Sequence, residues 1–326
     1  MKGNRVVWPE RAKVAIETFE IPAVGDNEVL VETECTLISP GTERAFLLGL
    51  PNAQGRYPSR PGYSNVGKVV EVGKSVEGLK VGERVASAFG HTSHFVTSPQ
   101  RLLRIEDATA KSEEAVFFNL AAIALQGVRK AKIELGEPAL VLGQGLIGLL
   151  AMQLAKLNGA LPVVGVDPID SRLQLAKTVG ADITLNPKAD NFDRLVSEIS
   201  PRVVIEATGH PEAINSALHV AGWCARVVLL ASTRGETEHV NFYRDVHKKG
   251  LILIGAHNSV RPNQESSPNF WTSRDDGALT LRLLTAGRLL VSPLISHRMP
   301  ASEAAKAYEQ LMQWDANLLG VVLRWR

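Results

Sequence analysis

Two cysteines in 326 residues, Cys35 and Cys224, far apart in the chain and without metal-type spacing, exclude a disulfide framework. They read as buried small hydrophobes in a reducing compartment. Charge of one sign is also scarce: the net charge is only +2, and no Lys/Arg run resembles a nucleic-acid footprint, so nucleic acid is not an expected partner. Long apolar runs are missing too. The longest, 139–155, is broken by glycine and too short to span a bilayer, so no membrane association is expected. The N-terminal MKGNRVVWPERAKVAIET has scattered charges and no apolar segment, unlike a signal peptide, and the expected location is cytoplasmic. What remains is 45% hydrophobic and 21% charged residues, enough for a large core and two domains of ordinary size.

The most informative stretch is 139–167, ALVLGQGLIGLLAMQLAKLNGALPVVGVD. An apolar run, Ala139 to Leu142, meets Gly143-Gln144-Gly145-Leu146-Ile147-Gly148, and a helical pattern follows at once. A second β-like run then ends on Asp167, about 20 residues past the last glycine. This is G-x-G-x-x-G between a strand and a helix. The glycines permit a tight turn and close approach of backbone to a pyrophosphate, with the helix N-terminus facing the phosphates. A dinucleotide is therefore the expected cofactor. Asp167 favours NAD, because it accepts from both ribose hydroxyls, whereas a 2′-phosphate at roughly 4 Å costs on the order of 4 kcal/mol at an effective dielectric of about 20. Arg172 lies along the adenine or, alternatively, accommodates a phosphate. Thr208-Gly209 and Ala231-Ser232 follow later strands and belong at the carboxyl edge of the sheet, near the nicotinamide half.

The rest of the chain frames this turn. The first third is β-rich, with short runs at Glu28–Thr33, Gly67–Val72 and Arg84–Ala88. Ser112 opens a helix as its cap, and a long helix runs from Asn119 to Lys132. Six strands then alternate with helices, at Leu140–Leu142, Val163–Val166, Ile183–Leu185, Val203–Glu206, Val227–Leu230 and Ile252–Gly255. That pattern is α/β, a doubly wound parallel sheet. After His257 come a polar loop, helices near Asp276–Ala286 and Ser302–Trp314, and a strand, Gly320–Trp325, that needs the N-terminal portion to pair with. The expected division is 1–119 with 259–326 as one discontinuous domain and 120–258 as the nucleotide-binding one. Their cleft is the expected substrate site.

The ordered segments PGYSNVGKVVEVG (61–73), VGERVA (81–86), VLGQGLIG, EATGHPEAINSAL (206–218) and KKGLILIGAHNSVRP (248–262) resemble the medium-chain dehydrogenase/reductase superfamily, that of the zinc alcohol and polyol dehydrogenases. The resemblance covers nearly the whole chain. It implies a Rossmann domain, a GroES-like catalytic domain, a nicotinamide cofactor and a homodimer joined at sheet edges; the apolar run Leu251–Gly255 is the edge needing cover. ISPGTERAFLLG, YPSRPGYSNVG and VVLRWR most resemble the branch around bacteriochlorophyllide a dehydrogenase, and IGAHNSVRP the polyol and cyclitol branch.

Where the zinc enzymes carry a cysteine, this chain has the Ser39–Glu43 loop. Where they carry His-Glu it reads Tyr63-Ser64, and the third ligand position matches Asn119. These residues hold Zn²⁺ poorly, so a metal-free member is expected. Without zinc another group must handle the hydroxyl proton. Tyr63, Ser39, Thr42 and Asn119 are the candidates, each also readable as a hydrogen-bonding or anchoring residue. Glu43, His91, His257 and Trp271 are candidate substrate contacts, with Glu43 alternatively supporting a helix N-terminus. His91 and His94 are not expected to bind metal. The expected activity is NAD(H)-dependent interconversion of a secondary alcohol, on a sugar, cyclitol or other polyhydroxylated ring, with its ketone. Reduction of an activated C=C bond is the alternative, and a catalytically silent cofactor-binding protein is the third reading.

Overall fold

The computed structural model describes residues 1–262 and 271–326. The middle of the polar loop expected after His257 lies outside them. The chain forms two units, Met1–Asn119 with Gly277–Arg326, and Leu120–Asp276. The second crossing therefore falls later than the 259 expected from sequence. Residues 261 and 276 are tied to the second unit: the Arg261 guanidinium donates to the Ala122 carbonyl at 3.2 Å and approaches Asp276, which also pairs with Arg129 at 2.9 Å.

The first unit is built on Val29–Ile38, a ten-residue strand whose apolar positions are buried on both faces. It pairs antiparallel with Asn65–Val72, His94–Thr97 and the C-terminal strand Gly320–Arg324, so the end of the chain closes onto its beginning, as the leftover strand required. The sheet continues through Arg84–Ser87 and Leu102–Arg104 on one side and Ile295–Pro300 on the other. That last strand (ISHRMP) and a separate hairpin of Lys2–Val7 with Ala15–Glu20 are too polar to announce themselves by alternation. A core of Val6, Trp8, Ile38, Leu47, Val321 and Leu323 encloses Tyr308 from the helix Ala304–Met312. Ser112 is not a cap. Lys111 occupies that position, and the Ser112 hydroxyl instead accepts from Arg84 at 2.7 Å and donates to Glu34.

The second unit is a six-stranded, all-parallel sheet ordered Ile183–Leu185, Val163–Val166, Ala139–Leu142, Val203–Glu206, Arg226–Leu229 and Ile252–Gly255. Sequence order reverses between Ala139–Leu142 and Val203–Glu206, the position where a crevice opens beyond the carboxyl ends of a doubly wound sheet. Near-continuous Val, Ile and Leu in the central strands follow from burial on both faces by helices such as Leu146–Leu157 and Pro211–Val220.

Candidate active site

In the second unit the glycines divide the work. A Cβ on Gly148 would lie 1.7 Å from the Gly143 carbonyl oxygen, so this residue lets the helix sit against the turn. Gly145, the N-cap of Leu146–Leu157, is the opposite case: among the described residues, no atom beyond its own chain neighbours and helix backbone lies within 4 Å of where its Cβ would be. The space beside it is open, and the unpaired N–H groups of the first helical turn begin there. Leu146 and Gln144 turn their side chains inward. The Gln144 amide donates to the Val141 carbonyl at 2.8 Å beneath Gly165, so both side chains point into the interior. Ile147 is half-buried.

Asp167 is held from both sides. Its Oδ2 accepts from the Gln144 N–H at 2.8 Å and its Oδ1 from the Ile169 N–H at 2.9 Å, leaving each oxygen a further lone pair. Arg172 stands 3.8 Å from Oδ2, with its Nε buried and without a hydrogen-bond partner.

Sequence reading missed Glu206. It closes its strand fully buried, and its Oε1 accepts from the Thr208 N–H at 2.7 Å, the Gly209 N–H at 3.2 Å and the Thr208 hydroxyl. Its backbone carbonyl takes the Leu230 and Ala231 N–H groups, both at 3.0 Å. Thr208 packs against Gly143, and Gly209 lies close to the Ser232 carbonyl. Glu206 thus gathers the expected cofactor residues Thr208, Gly209, Ala231 and Ser232 beside the glycine turn. Burial pushes its carboxyl above the usual glutamate range against the pull of its donors, and Oε2 has no partner. An acid whose folded pKa is raised stabilises least once ionised: stability falls as pH rises from the ordinary glutamate range through the raised folded value. Glu206→Gln is expected to remove that part of the decline while leaving cofactor affinity within about threefold. Melting temperatures of both proteins across pH 4 to 8 check it.

In the first unit the expected residues gather in part. Pro40 begins the helix Pro40–Leu48 with Ser39, itself buried, as the N-cap. Thr42 is half-buried on the first turn. The Asn119 amide donates to the Tyr63 carbonyl at 2.6 Å, and both residues are half-buried. Ser64 is turned inward and donates to the Val116 carbonyl. Glu43 and His91, expected to contact substrate, do not face solvent: each is 2% exposed, and their polar atoms are engaged with one another and with interior residues. Glu43 Oε1 accepts from the Ser39 N–H at 2.8 Å, so the alternative reading, support of the helix start, is the observed one.

Outside these clusters, His257 is exposed and holds Ser259 through Nδ1 at 2.7 Å. Trp271 is half-exposed, its ring 4.1 Å from the Arg129 guanidinium, which gives it a packing partner inside its own unit.

The open space at Gly145, the Gly148 contact and the anchored Asp167 fit a dinucleotide. At the positions matched to zinc ligands, a serine hydroxyl, a phenol and an amide already engaged at Tyr63 are a poor donor set for Zn²⁺.

Two family models match in order, the alcohol dehydrogenase GroES-like domain over residues 25–104 and the zinc-binding dehydrogenase model over 147–268. Together they span more than half of the chain. D-guloside 3-dehydrogenase of Shigella flexneri is 28% identical over 253 residues, 75% of this chain and 71% of that protein. L-galactonate-5-dehydrogenase of Escherichia coli K12 is 26% identical over 340 residues, covering 94% and 92%. A Sinorhizobium meliloti 1021 protein whose crystal structure is bound to NADP superposes with a TM-score of 0.84 over 99% of both chains at 22% identity, a likeness of fold. The chain belongs to the medium-chain dehydrogenase/reductase superfamily. It is an oxidoreductase.

Proposed function

We propose that this protein is an NAD(H)-dependent dehydrogenase that interconverts a secondary alcohol on a sugar, cyclitol or similar polyhydroxylated ring with its ketone, without a catalytic metal. The reading is supported by the set Ser39, Tyr63 and Asn119, hydroxyls and an amide that the resemblance matches to the ligand positions of the zinc enzymes. The named relatives act on guloside and galactonate, which supports a polyhydroxylated substrate.

The nicotinamide, when bound, supplies the hydride acceptor or donor. Gly145 and the N–H groups of the helix it caps would hold the pyrophosphate, and Asp167 the adenosine ribose. Ser39 Oγ and Tyr63 Oη would bind the substrate hydroxyl, and Tyr63, as the phenolate, would take its proton and become the neutral phenol as the hydride leaves the carbon for NAD⁺. Asn119 fixes the Tyr63 backbone from behind. Thr42 adds a second hydroxyl to the Ser39 loop. In a panel of ring polyols, NADH formation at 340 nm is expected, with Tyr63→Phe lowering kcat at least tenfold.

Arg172 favours a second reading. Its unpartnered Nε beside Asp167 suits a 2′-phosphate, as expected of an NADPH-dependent reductase of activated C=C bonds. NADPH consumption on enones or quinones, with no polyol oxidised, would favour it.

We also propose that the protein is a cytoplasmic homodimer joined along Ile252–Gly255, an edge strand where Ile252 is 57% and Leu253 39% exposed. Light scattering is expected to give twice the 35.3 kDa chain mass for the wild type, and the chain mass for the double substitution Ile252→Asp and Leu253→Asp.

A further inference from the structure

Glu43 is the only buried carboxylate among the described residues of its unit, and it is not placed there by apolar packing. Besides the Ser39 N–H on Oε1, its Oε2 accepts from the Tyr308 hydroxyl and meets His91 Nε2 at 3.0 Å. Three polar groups, the Ser39 N–H, the Tyr308 hydroxyl and the His91 ring, thus converge on the Glu43 carboxyl. The other His91 nitrogen, Nδ1, meets Thr36 Oγ1 at 2.8 Å, and Thr36 Oγ1 accepts from Trp325 Nε1 at 3.1 Å. Burial first, then the Glu43 carboxylate and the nearby Tyr63, push the Tyr308 hydroxyl well above its ordinary range, so Tyr308 stays a donor.

The far side of His91 is the turn before Tyr63. The His91 N–H donates to the Pro61 carbonyl at 2.9 Å. Gly62, at φ +94°, lies so close that a Cβ would sit 2.8 Å from ring carbons of His91. One imidazole therefore touches both segments that carry the proposed chemistry. On one side it bonds the carboxylate that holds the Ser39 backbone; on the other it is the floor under Gly62-Tyr63. Burying polar groups of this kind is a poorer route to stability than apolar packing, so stability alone is a weak reason for the contact.

We infer that Glu43 and His91 are positioning residues, which together brace the loop carrying Ser39 and Thr42 against the turn carrying Tyr63. The inference rests on the reaction proposed above. The brace touches no substrate. It fixes the separation of the two hydroxyls that would grip the reacting oxygen, where a misplacement of about 1 Å can cost on the order of 100-fold in rate.

The test compares Glu43→Gln, Glu43→Ala, His91→Gln and Tyr308→Phe with the wild type in the full-length protein. Glu43→Ala and His91→Gln are expected to lower kcat on a ring polyol by about 10- to 100-fold, with NADH affinity, read by fluorescence titration, unchanged within about twofold. Glu43→Gln keeps an acceptor for the Ser39 N–H and should recover part of the loss. Amide hydrogen exchange should quicken together in segments 37–43 and 61–65 in Glu43→Ala and His91→Gln, and less in Tyr308→Phe, while the Leu120–Asp276 unit stays protected. Wild-type kcat in both variants, exchange confined to one segment, or loosening of the whole first unit would overturn the inference. If the wild type oxidises no polyol, the proposed reaction falls, and paired exchange at the two segments decides this inference alone.

Discussion

Gly145→Ala is expected to fold and melt like the wild type yet bind NADH at least tenfold more weakly, about 1.4 kcal/mol or more. The residue adopts φ −75°, which alanine accepts, and its added methyl would meet no described atom within 4 Å beyond its chain neighbours and helix backbone. Among the described residues, that methyl would crowd only a ligand brought against the backbone. Gly148→Ala provides the contrast, because its methyl would collide with the Gly143 carbonyl oxygen at 1.7 Å, so that stability and binding should fall together. Thermal melts beside NADH fluorescence titrations separate the two effects. Unweakened NADH binding by Gly145→Ala would remove the pyrophosphate from this turn.

Asp167→Asn is expected to shift the ratio of NADH to NADPH affinity at least tenfold toward NADPH. The substitution removes the charge that would face a 2′-phosphate and leaves Arg172 beside it without an opposing carboxylate. One of the two backbone donors, Gln144 N–H or Ile169 N–H, then faces an amide NH₂ instead of an acceptor, costing about 1–3 kcal/mol of stability. Titration of wild type and variant with both reduced cofactors checks the ratio. A wild type that already prefers NADPH would show that Arg172, and not Asp167, sets the preference.

Local features of the dinucleotide half were legible in the sequence. The strand, glycine turn, helix and Asp167 follow one another within residues 139–167, and each has a residue-type requirement that few alternatives meet. Glu206 was not legible, because it looks like the polar end of an ordinary strand until the neighbouring turns are seen to donate to it. Gln144 shows the reverse: its place in the motif suggested a ligand contact, and packing under Gly165 turned its side chain inward. In the other half Glu43 and His91 were noticed for their chemistry, Glu43 with helix support as one of two readings, but their partners could not be read from the sequence. Thr36, Tyr308 and Trp325, which explain them, come from opposite ends of the chain and are brought together only by the pairing of Gly320–Arg324 with Val29–Ile38. Ser112 failed as a cap for a related reason, since Arg84 and Glu34 on neighbouring strands claim its hydroxyl.

The central claim, alcohol oxidation without a metal, is tested most directly by following NADH at 340 nm. The enzyme is stripped with a strong chelator and assayed with NAD⁺ and ring polyols, before and after adding Zn²⁺. The account predicts that the polyol oxidised by untreated enzyme is oxidised at the same rate by stripped enzyme, and that Zn²⁺ does not raise that rate. Activity lost to the chelator and restored by stoichiometric Zn²⁺ would contradict it.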